Sequence, residues 1–190
     1  MAKVHNQPIF GDEWLTKARP KSSNASWANA VVETLDTSGQ IYLATLRLWF
    51  NEFPALPTDK QKLRERLECF QDDQHLGGVN ELTWWTFMQH GGLAATVMPT
   101  AKKASRPDFQ VAPPADCFIE VSTLNISADD RKHLEQGKSV ALNHTESIRR
   151  VIGKFTDEKR KQLMYAVDHQ KPGVLVLFVR ISRNVTGCFA

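Results

Sequence analysis

A chain of 190 residues with 42% hydrophobic and 24% charged side chains is sized for one compact domain, or a domain with a small appendage, and its five Trp supply core material that disordered and collagen-like chains lack. Lys and Arg outnumber Asp and Glu by 24 to 21, a net charge of +3, too small an excess for a protein that holds nucleic acid by charge alone. Cys69, Cys117 and Cys188 are odd in number, far apart and without a C-x-x-C pair, which argues against a disulfide scaffold or structural zinc and for a reducing cytoplasm. Neither a signal peptide nor an apolar run of about 18 residues occurs, so no membrane association is expected.

In chain order, residues 1–25 carry Gly11, Pro20 and a Lys/Ser-rich patch, the composition of an irregular, peripheral arm. From 26 to 50, apolar residues return every three or four positions and predict amphipathic helices broken near Ser38-Gly39. A further helix is expected over 58–70, capped by Thr58-Asp59. After His75-Leu-Gly-Gly, a short helix over 80–90 ends at Gly91-Gly92, where glycine supplies a left-handed cap. Runs at 93–98, 108–111 and 117–124 read as strands, and the Pro-rich turn at 112–116 makes the last two hairpin neighbours. A long helix over 146–168 and the near-continuous apolar run 174–179, a strand covered on both faces, complete the order. No 20–50-residue repeat, phosphate-cradling glycine loop, nucleophile elbow or zinc-protease helix is present.

The informative stretch is Pro107-Asp108 through Glu120-Val121-Ser122. Asp108 opens one strand and Glu120 sits inside the next, so a tight hairpin sets two carboxylates side by side on one sheet face. Like charges in that relation repel, and the apolar neighbours Phe118, Ile119 and Val121 make an unpaired charge at 120 costly; a divalent cation resolves the conflict. Two plainer readings compete: Asp108 caps a turn after Pro107, and Glu120 faces solvent on an edge strand. Glu81, in the first turn of its expected helix, is also explained by the helix dipole. On the later helix, Ile148, Ile152, Phe155, Lys159, Gln162 and Ala166 form one stripe, and its two polar members either snorkel to solvent or point at the carboxylates. Trp84-Trp85 with Phe87 and Met88 reads as core before base-stacking surface.

In these residues the chain resembles the PD-(D/E)xK nuclease superfamily, over 80–181. The resemblance implies an α/β fold with a restriction-endonuclease-like core of helix, three-stranded antiparallel meander, helix and strand, set at 76–190, and leaves unassigned the helical N-terminal extension at 1–75 that the periodicity predicts. It implies that Glu81 is the helix acid, Pro107-Asp108 the Pro-Asp pair, Glu120 the motif acid, and Lys159 with Gln162 the helix polar pair. Asp108, Glu120, the Val121 carbonyl and Glu81 would then hold Mg²⁺, or Mn²⁺, for phosphodiester hydrolysis, DNA being a more natural substrate than RNA. Lys102, Lys103 and Arg106 would meet the nucleic-acid backbone or form a solvated charge cluster. A homodimer is expected on the same analogy. Ser122 departs from the pattern, which has lysine there, since a hydroxyl lacks the positive charge that orients water or stabilises the phosphate. Either Lys159 replaces that lysine, or the chain is a degenerate binding or interaction module.

Overall fold

A computed structural model of the chain describes residues 8–18, 38–101, 105–124 and 144–179, with positions 133 and 136. Among the described residues four helices come first: α1 (Asp12–Ala18), α2 (Ser38–Glu52), α3 (Pro57–Leu67) and α4 (Asp72–His90). The meander β1 (Ala95–Val97), β2 (Phe109–Val111) and β3 (Cys117–Leu124) follows. Helix α5 (His144–Gly153), a π-turn (Lys154–Glu158), helix α6 (Arg160–Asp168) and strand β4 (Gly173–Val179) close the order. Among the described residues the protein is thus mixed α/β, with six α-helices and a four-stranded mixed sheet in the order β1-β2-β3-β4. The meander is antiparallel as expected, and β4 lies parallel to β3 from Phe118↔Gly173 to Leu124↔Val179.

Local chemistry accounts for the element ends. Pro57 at the first helical position suits α3, since proline has no N–H to leave unpaired there. Asp72 and Asp73 favour the positive end of α4, and Gly92 beyond its far end takes φ +71°. Strand β3 is buried along nearly its whole length because helices pack on both its faces.

One hydrophobic core joins the helical N-terminal part to the sheet. Phe53, 2% exposed, sets its ring edge against Trp85 of α4 at 5.5 Å and against Phe109 of β2 at 6.4 Å. Phe53→Ala is expected to cost about 3–5 kcal/mol, read as a lowered denaturation midpoint. No helix among the described residues is long and apolar enough to cross a membrane.

Four expectations are corrected. Residues 8–18, the described part of the expected arm, are not peripheral: Ile9, Phe10, Trp14 and Ala18 are buried, and Arg47 donates to the carbonyls of Ile9 and Phe10 at 3.1 and 2.7 Å. Helix α4 is longer than expected and runs across positions 75–76, with Gly77 and Gly78 inside it. Gly78 is there for close packing, since a Cβ would come within 3.1 Å of Leu67 on α3. Glu81 consequently stands in the middle of α4, beyond the reach of a first-turn dipole explanation. Strand β4 is less buried than its apolar run suggested: it is the edge strand of the described sheet, paired only with β3, and Val174 is 40% exposed, while Val176 and Phe178 pack against the core. Lastly, the stripe of the long helix breaks. The π-turn, closed by Lys159 N–H donating to the Lys154 carbonyl at 3.0 Å, shifts the helical phase, so Ile148, Ile152 and Phe155 are exposed while Ala166 is buried. The predicted helix over 26–37 lies outside the described residues.

Candidate active site

The hairpin register carries Asp108 to Glu120. Phe109 pairs with Ile119, so one step further along the antiparallel ladder Asp108 stands opposite Glu120, both on the face away from Phe109 and Ile119. Asp108 is pinned on two sides: its carbonyl accepts from Met98 N–H at 2.8 Å, and its Oδ2 accepts from Val121 N–H at 2.8 Å. The N–H and C=O of one strand residue point to the same edge, so the Val121 carbonyl lies along the edge where Asp108 sits.

Glu120 is 3% exposed, which removes the reading of a solvent-facing carboxylate on an edge strand; β3 is the interior strand between β2 and β4. Its Oε1 accepts from Lys159 Nζ at 2.6 Å. Lys159 does not snorkel; it closes the π-turn and reaches the sheet. Glu120 Oε2 is buried without a hydrogen-bond donor, and so is Gln162 Oε1, three residues beyond Lys159. Ser122, two positions along β3 and therefore on the same strand face as Glu120, is buried as well.

Glu81 approaches from α4 and pairs with Arg66 of α3. Next to it, Asn80 donates to Thr123 Oγ1 of β3 at 2.7 Å, which ties the helix to the strand three residues beyond Glu120. A cleft of about 500 Å³ opens beside Asp108 and Glu81, walled by Asp59, Lys62, Glu65 and Arg66 of α3.

The electrostatics are those of an acidic site short of cations. Burial raises Asp108 well above the usual carboxylate range, and the neighbouring charges of Glu120 and Glu81 push it further the same way. Burial also raises Glu120, against the opposing pull of Lys159. A folded-state pKa above the unfolded value means that the native protein holds its proton longer. The contribution of these two carboxylates to the stability of the cation-free protein is therefore fully present below the ordinary carboxylate pKa of about 4 and is lost as pH rises through the elevated values. The stability of the unmodified chain relative to Asp108→Asn, from thermal midpoints measured at pH 4 to 8, should fall as pH rises, at up to about 1.4 kcal/mol per pH unit for the one proton.

Of the residues expected at the site, Asp108, Glu120, Val121, Lys159 and Glu81 are brought together, and Gln162 sits one turn beyond Lys159. Arg106, two residues before Asp108, is exposed, its guanidinium 5.9 Å from the Tyr165 ring centre. Lys102 and Lys103 lie outside the described residues. Trp85 and Met88 are core, while Phe87 is exposed and stacks on Trp84 at 5.0 Å. Sequence reasoning missed Arg66, because fifteen residues of separation on two helices leave no periodic signal for its contact with Glu81. It also missed His75, buried between the Leu67 carbonyl at 2.6 Å and the Tyr42 hydroxyl at 2.7 Å.

Among the described residues no group of three or more His, Cys, Asp and Glu side chains is arranged to hold a metal ion. Two carboxylates, one with a buried oxygen that meets no donor, beside a strand carbonyl, form a smaller donor set. It suits a Mg²⁺ that keeps several waters rather than a fully protein-caged ion. No protein-family model, curated protein or solved structure matches the chain.

Proposed function

We propose that the chain is a metal-dependent nuclease of the PD-(D/E)xK type that hydrolyses phosphodiester bonds, most naturally in DNA. The observation that carries this reading is the pair of facing carboxylates, Asp108 half-buried at the cleft opposite the buried Glu120, with an unpartnered Glu120 oxygen and the Lys159 ammonium at 2.6 Å from its other oxygen. Burying two like charges this way is costly unless a cation joins them, and proteins tolerate such cost at sites of chemistry.

Asp108, Glu120 and the Val121 carbonyl would hold the ion, with Glu81 bound through water. When bound, Mg²⁺ supplies a lowered pKa for its water and neutralises charge developing on the phosphate. Lys159 delivers the positive charge that Ser122 cannot, from a helix rather than from the strand, and fixes Glu120 in one orientation. Gln162, whose side-chain oxygen is buried without a donor one turn beyond Lys159, is suited to accept from the attacking water. Asp108 is held by Val121 N–H, so its remaining oxygen is oriented without help from solvent.

Cleavage of plasmid and oligonucleotide substrates with Mg²⁺ or Mn²⁺, abolished by a chelator, tests the reading. The competing reading, a binding module without cleavage, rests on Ser122. It requires that calorimetric titration with Mg²⁺ show no heat that depends on Asp108 and Glu120.

A further inference from the structure

We infer that the α3 wall of the cleft binds the phosphate backbone of the substrate through Arg66 and Lys62, so that the N-terminal helices form part of the substrate site; this rests on the nuclease reading above. Helix α3 carries four cations, and the fold divides them into two pairs. Lys60 donates to the carbonyls of Asn51 and Phe53 at 2.9 and 3.0 Å, and Arg64 binds Glu68 and the Pro8 carbonyl; both are spent on holding the helices together. Lys62 and Arg66, four residues apart and hence on one helix face about 5–6 Å apart at Cβ, line the cleft instead.

Their present partners are acids that have other support or other work. Lys62 meets Asp59 at 3.2 Å, and Asp59 also accepts from the Thr100 N–H at 3.2 Å, so Asp59 keeps a hydrogen bond when Lys62 leaves it. Arg66 holds Glu81, which adds its charge to the Asp108 and Glu120 group. The described cleft lining carries four carboxylates, Asp59, Glu65, Glu81 and Asp108, against these two cations. A polyanion entering such a cleft needs a positive contact on its wall, and with side chains 36% and 57% exposed Arg66 and Lys62 are within reach. The planar Arg66 fork is matched to two phosphate oxygens, whereas Lys62 acts as a point charge on a neighbouring phosphate. Arg66 thus exchanges a carboxylate for a phosphate as the substrate arrives.

The test is fluorescence anisotropy with labelled single- and double-stranded DNA, in an Asp108→Asn background that leaves the substrate whole, as a function of salt. Arg66→Gln should weaken binding about tenfold or more at low salt and reduce the slope of log affinity against log salt by about 0.7–0.9. Lys62→Gln should reduce the slope by a similar amount, and Arg66→Lys should keep the slope while losing affinity. Lys17→Gln, which removes one exposed charge on α1, is the control expected to leave the slope unchanged. Arg66→Gln/Glu81→Gln, which leaves no stranded acid, covers the case in which Arg66→Gln fails to fold, and should show the same loss of slope. Unchanged slopes in the α3 variants, or an equal loss in Lys17→Gln, overturn the inference while the nuclease reading stands. A folded Asp108→Asn protein that binds no DNA at all overturns both.

Discussion

Asp108→Asn is expected to lose at least about a hundredfold in metal-dependent cleavage, because changing residues that merely support a metal ligand already costs 10–100-fold and this change removes a ligand charge. The variant should nevertheless fold well. Asparagine keeps an oxygen for the Val121 N–H that Asp108 accepts at 2.8 Å, and it removes a charge that burial and the Glu120 and Glu81 carboxylates disfavour. The cation-free variant should therefore melt higher than the unmodified chain, by about 2–4 °C per kcal/mol regained at this length. Mg²⁺ should raise the midpoint of the unmodified chain only. Lost activity with gained stability is the signature of a residue retained for function; retained activity in both Asp108→Asn and Glu120→Gln removes the site assignment.

Lys159→Met is expected to show the opposite stability effect. Its ammonium is the hydrogen-bond partner of Glu120 Oε1 at 2.6 Å, in a pair whose side chains are 21% and 4% exposed. Removing one member of a buried pair strands the other, at a cost of about 3 kcal/mol, the lower end of the usual range because Lys159 retains some solvent contact and Glu120 can take up a proton. That proton uptake fixes the sign with pH: the loss should be smaller near pH 5 and larger near pH 8, since deprotonated Glu120 is then left unpaired. Chemical denaturation at the two pH values measures it. Glu120→Gln/Lys159→Met should recover most of the stability without recovering cleavage. In Lys159→Met itself, cleavage should fall by about 10²–10³-fold, the usual cost of deleting one charge-stabilising group at a reacting centre. A Lys159→Met protein as active and as stable as the parent would show that the ion pair has no part in either property.

The hairpin was legible because its determinants are local. Five turn residues between two short strands leave little freedom in register, and strand alternation then sends Asp108 and Glu120 to the same face. The helices were legible as to type but not extent. Gly77-Gly78 reads as a break by local propensity, yet α4 passes through it because Gly78 lets Leu63 and Leu67 of α3 come close, a packing gain that outweighs the intrinsic cost of a helical glycine. The stripe on the long helix correctly singled out Lys159 but not the exposed half preceding it, since the period assumed there is the α-helical one and the π-turn changes it.

By itself the sequence determined the order and kind of the strands, the opposition of Asp108 and Glu120, and the conflict their burial creates, all consequences of periodicity within a few residues. Helical spacing pointed to Lys159, but only the tertiary structure decided that its ammonium meets Glu120 across 39 residues through a π-turn, that Arg66 meets Glu81 across 15, and that Ile9, Phe10 and Trp14 belong to the core. These contacts close long loops, and their partners are chosen by the packing of whole elements against one another, a property that no local spacing encodes.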